Sequence, residues 1–108
     1  MKYTLRVLPR AERDAQQIYS WLLERSPAGA ARWFSAFDDA ARKVVQNPAR
    51  YGLAPEDEHV TYELRQFLFR TRHGRTYRGV FTVVGGEVRV LRVRGPGQAP
   101  LTRDELGE

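Results

Sequence analysis

At 108 residues the chain has room for one hydrophobic core and not two, so a single domain over residues 1–108 is expected. Cysteine is absent and the only histidines are His59 and His73, which excludes disulfides, thiolate metal sites and a cysteine nucleophile; no metal or cofactor is expected. A formal charge of +5 and a pI near 10.1 favour a polyanionic partner, although 16 of the 18 basic residues are arginine, a bias that a GC-rich genome also produces. There is no apolar run long enough to cross a membrane and residues 1–10 lack a signal-peptide core, so a soluble, cytoplasmic protein without membrane association is expected.

Residues 2–8 alternate Tyr3, Leu5 and Val7 with Lys2, Thr4 and Arg6, the period of a half-buried strand, and Pro9 ends it. From there Ala11, Ala15, Ile18, Tyr19 and Leu22 recur every three or four residues, which predicts an amphipathic helix to about Glu24. Ser26-Pro27 is a helix start, a capping hydroxyl followed by proline in the first turn. The second helix then runs to about Gln46, with Ala30, Phe34, Phe37, Ala41, Val44 and Val45 as its stripe and Trp33 and Ala40 widening it. The short connection forces an antiparallel hairpin. Asn47-Pro48 stops the helix, and a loop follows in which Tyr51 and Leu53 are expected to reach the core. Its acids Glu56, Asp57 and Glu58 read most simply as solvated, or else as a counterweight to basic residues further on.

Residues 63–72, 76–84 and 87–94 read as three strands of an antiparallel meander, the last two joined by Gly85-Gly86. In the third of them Val88, Val90, Leu91 and Val93 mix with Arg89, Arg92 and Arg94 so that neither face is purely apolar. Helices on one side and an anionic partner on the other would satisfy such a sheet. Residues 95–108 form an irregular or flexible tail, with a short helical turn or disorder at its end. The element order predicts an α+β fold: a helical hairpin packed on a mostly antiparallel four-stranded sheet.

The strand arginines are the candidate functional residues, since a guanidinium is always charged and forks onto phosphate or carboxylate. Arg65, Arg70, Arg78, Arg89, Arg92 and Arg94 are the candidate partner-binding set, against the alternative that such charges merely solvate a sheet edge. For catalysis the weak candidates are Arg65, Arg78 and Arg92 with His73 or Tyr77 moving a proton, although a strand tyrosine is more often core and a loop histidine more often solvated.

The order and spacing of Leu8-Pro9-Arg10-Ala11, the two helices, the stretch 47–53, Glu63-Leu64-Arg65-Gln66, Thr76-Tyr77-Arg78-Gly79 and the stretch 88–94 resemble the RelE/ParE superfamily of bacterial type II toxins. The resemblance implies a toxin neutralised in a hetero-oligomeric complex with a cognate antitoxin whose carboxy-terminal segment wraps it. It further implies either ribosome-dependent messenger RNA cleavage, as in RelE-like members, or poisoning of DNA gyrase, associated with ParE-like members. Nuclease members commonly carry a late Tyr or His, whereas no Tyr or His follows Tyr77 here. Arginines alone stabilise charge well but exchange protons poorly. The ParE-like branch, acting on gyrase without catalysis of its own, is therefore the leading expectation. A ribosome-dependent nuclease or an inactive, antitoxin-binding homologue is the alternative.

Overall fold

Pro9 keeps the first strand short: β1 spans Thr4–Val7, and the proline opens α1, Pro9–Leu23, where its missing N–H costs nothing. The computed structural model describes residues 2–107. Ser26 Oγ accepts a hydrogen bond from Gly29 N–H at 3.0 Å, so α2, Pro27–Val44, begins at the capping signal. It stops just before Asn47-Pro48, where a short 3-10 turn, Pro48–Arg50, takes over.

The meander comprises β2, Arg65–Phe69, β3, Tyr77–Val84, and β4, Glu87–Arg94, with β2 shorter at both ends than its sequence pattern. At the β3–β4 turn the positive φ, 61°, falls on Gly85 and not on Gly86, the first central position where a type II′ hairpin places it. β1 lies parallel to β4, giving the order β1-β4-β3-β2. The helical hairpin covers one face, α1 against β4 and α2 against β2, so the α+β architecture is the expected one.

The mixed pattern of β4 has a local cause. Val80 pairs with Arg92 but the next residue, Phe81, pairs with Val90, so Leu91 is an extra residue bulged out of register. The bulge shifts the alternation. Val88, Val90 and Val93 all join the core beneath the helices, while Leu91 packs with the residues of the opposite face. The expectation that neither face is purely apolar is thus replaced by two sorted faces, at the expense of one kink.

Beneath the helices Trp33, Phe37, Phe67, Phe69 and Phe81 interlock with ring centroids 5.5–6.4 Å apart in successive pairs. Trp33, expected only to widen the α2 stripe, is buried in it, whereas Phe34, expected in the stripe, is exposed and meets Tyr19 edge-on. Tyr51 does pin its loop, edge-on to Phe81, but Leu53 holds by a backbone bridge to Arg65 with its side chain in solvent. A second, smaller core sits on the other face. There Leu101 and Leu106 from the tail fold back onto Ala54, Leu64 and Val80. The tail is irregular apart from one 3-10 turn at Asp104–Leu106; Glu108 lies outside the described residues.

Candidate functional site

The face away from the helices gathers three of the arginines that the sequence singles out, Arg78, Arg92 and Arg94, and they bind this chain's own loop, first helix and tail. Arg78 points from β3 toward Glu56, which a 3-10 turn at Pro55–His59 turns inward until 1% of its side chain is exposed. The pair is bidentate, Nη1 to Oε1 at 2.9 Å and Nη2 to Oε2 at 2.5 Å, and Oε2 also accepts Leu101 N–H at 2.9 Å. Burial pushes the Glu56 carboxyl up, but the hydrogen bonds from Arg78 and Leu101 and the guanidinium charge outweigh it and hold the pKa at about 2. Glu56 is therefore the counterweight to an arginine, and the solvated reading of the three acids holds for Glu58 only. Asp57 is half-buried and accepts Leu64 N–H at 2.7 Å.

Arg92 forms the second clamp. Its Nε and Nη2 meet Asp14 Oδ2 and Oδ1 at 2.7 and 2.9 Å, and its Nη1 donates to Glu105 O at 3.1 Å. Asp14 Oδ2 also accepts Val93 N–H at 2.9 Å. β1 ends at Val7, so this carboxylate supplies the acceptor that a longer β1 would have given to β4. Arg94 donates to Ala99 O at 2.5 Å, Arg10 to Asp104 O at 2.8 Å and Tyr62 to Leu106 O at 3.0 Å. Side chains from across the fold thus hold the tail by its main-chain carbonyls.

The remaining candidates are spread apart. Arg65 is tied to Glu63 at 2.7 Å and to Tyr51 O, and Arg89 to Glu87 at 2.6 Å. Arg70 on the end of β2 and Arg72, His73 and Arg75 in the following loop are exposed and have no partner among the described residues. Tyr77 packs its ring against Trp33 and Phe69 at 5.4 and 5.8 Å, on the helix side of the sheet. Since neighbours in a strand point to opposite faces, Tyr77 and Arg78 do not share a site. Arg78, Arg92 and Arg94 are brought onto one face, but neither His73 nor Tyr77 joins them. Among the described residues no group of three or more His, Asp or Glu side chains is placed to hold a metal ion.

Asp14 was not among the sequence candidates, and Glu56 was offered only as one of three loop acids that could offset the arginines. For Asp14 a signal existed: it stands with Ala11, Ala15 and Ile18 at helical spacing, the one acid on the buried stripe of α1. For Glu56 the signal was shared with Asp57 and Glu58, whose like chemistry left nothing to pick out the one that turns inward.

A family model for the ParE toxin of type II toxin-antitoxin systems, parDE, matches residues 5–100. The chain belongs to the ParE toxin family. That range runs from β1 through β4 and into the tail, so both arginine–carboxylate clamps lie within the part that matches ParE. A comparison with curated proteins finds no match. Type II toxin membership is consistent with the fold, and no described helix is long and apolar enough to cross a membrane.

Proposed function

We propose that this ParE-family chain is a toxin that works by binding, with DNA gyrase as its target, and that a cognate antitoxin neutralises it in a toxin–antitoxin complex in the cytoplasm. One observation carries the non-catalytic part. Arg78 and Arg92, the cations an RNA-cleaving site would need on this face, are saturated by Glu56 and Asp14, and the groups able to exchange protons stand elsewhere. A phosphate reaching that face would have to displace a buried carboxylate already held by two hydrogen bonds, and no general acid would wait beside it.

In the same reading the arginines divide their work. Arg70, exposed at the end of an edge strand, and the partly exposed Arg65 and Arg89 meet acidic side chains of the antitoxin, while Arg78, Arg92 and Arg94 shape the surface by fixing the tail. The test is direct. Purified protein is added to gyrase with relaxed plasmid; inhibited supercoiling with accumulation of cleaved complexes is expected, and addition of antitoxin reverses both. Unchanged gyrase activity refutes the target, and ribosome-positioned messenger RNA cuts on induced expression would replace it with the nuclease reading.

A further inference from the structure

A groove of about 790 Å³ opens where α1 hands over to α2, bounded by that corner, the β2–β3 loop and the segment after β4. Its apolar wall comprises Ile18, Trp21, Leu22, Trp33 and Tyr77, its charged side chains are Arg25 and Arg75, and no acid lines it. Three features set it apart from the rest of the surface. Trp21 is 53% exposed, a large apolar surface left in water. The Arg25 guanidinium lies 3.7 Å from the centre of the Trp21 ring and is fixed there by donating to Trp21 O at 2.8 Å, so a cation is posted on the aromatic wall. Beneath, the Trp33 Nε1–H is buried and has no acceptor among the described residues, although such donors are nearly always paired.

We propose that this groove seats an apolar side chain from an acidic segment of the antitoxin. Carboxylates flanking that side chain pair with Arg25 and Arg75. The assignment rests on the antitoxin reading above and adds the place where the partner is anchored, at the α1–α2 corner. A single nucleic-acid strand is the competing occupant of an aromatic, cationic groove. The Trp21 face on which a base would stack is already covered by Arg25, and a fixed guanidinium fork suits a carboxylate.

The chain has two tryptophans, so its ¹⁵N spectrum has two indole N–H resonances, each assignable by Trp21→Phe. On adding the antitoxin both resonances shift, because both rings line the groove. Arg25→Glu combined with Arg75→Glu weakens antitoxin binding by about 10- to 100-fold, whereas Arg50→Glu, outside the groove, changes it by less than about 3-fold. Arg75→Glu alone, in an exposed loop, gives the same direction should the double variant lose stability. Wild-type binding with both indoles unmoved, or with affinity unaltered by the reversals, overturns the groove assignment and leaves the antitoxin reading standing. If the wild-type protein does not bind the antitoxin at all, both fall. Indole shifts produced by a single-stranded oligonucleotide and not by the antitoxin overturn the protein occupant.

Discussion

Replacing Glu56 with glutamine isolates the clamp that joins the 3-10 turn, β3 and the tail. The amide keeps the volume but offers one acceptor oxygen where the carboxylate receives both Arg78 nitrogens and Leu101 N–H. Stranding one member of a buried ion pair costs about 3–5 kcal/mol. Arg78 retains 19% side-chain exposure and a second contact to Gln66 at 3.2 Å, which places the expected loss at the low end, about 3 kcal/mol. The depressed carboxyl expresses the same contacts and gives a cost of the same order. A fall from 4.5 to about 2, at ~1.4 kcal/mol per unit, is again about 3 kcal/mol. Urea unfolding at pH 7 measures the loss, equivalent to a midpoint some ~12 °C lower on heating. Hydrogen exchange at the Leu101 amide reports whether the tail loosens with it. A cost below ~1 kcal/mol, or a Leu101 amide as protected as before, would refute the view that this carboxylate ties the tail to the sheet.

The same group sets an acid limit. Because its folded pKa lies below the unfolded value, its contribution is complete above the ordinary glutamate range and disappears as pH falls from about 4.5 toward 2; the stability gap between wild type and Glu56→Gln should close over that window and stay constant from pH 6 to 8. Asp14→Asn removes the charge facing Arg92 and leaves one oxygen for three donors, so a loss of about 2–3 kcal/mol is expected, with unfolding in urea as the measurement and a change under ~0.5 kcal/mol as the contrary result. In Gly79→Ala the new Cβ would sit 2.2 Å from Phe67 Cζ in the buried core, which predicts a cost of about 1–3 kcal/mol. Phe67→Leu, by shortening that side chain, should make the Gly79 change nearly neutral in the double variant; simple additivity of the two costs would show that the ring is not the obstacle.

Periodicity and capping made the helices readable, because Ser26-Pro27 and Asn47-Pro48 act on their immediate neighbours. The β3–β4 hairpin was readable for the same reason, through Gly85. What escaped is non-local. Nothing in residues 4–7 names β4 as their neighbour, and the bulge at Leu91 is visible only once β3 supplies a register to break. The arginines were found as residues but not their partners: Glu56 becomes special through its Pro55–His59 turn, and Leu101 and Leu106 become core through carbonyls that Arg94, Arg92, Arg10 and Tyr62 hold in place. Charge on a strand therefore marked where the chain meets something, and in five of six candidates that something is part of itself.

The parallel pairing of β1 with β4 has a consequence for how the toxin comes into being. Thr4–Val7 are made well before Glu87–Val90, the residues they pair with, and the segment that closes the second core follows later still. A contact of such long sequence separation forms slowly and only after its loop is closed. A growing chain can build its helical hairpin early but cannot complete its sheet. The sheet face thus arises only once β4 and the segment through Leu106 have been made, and shorter fragments carry the helices without that surface.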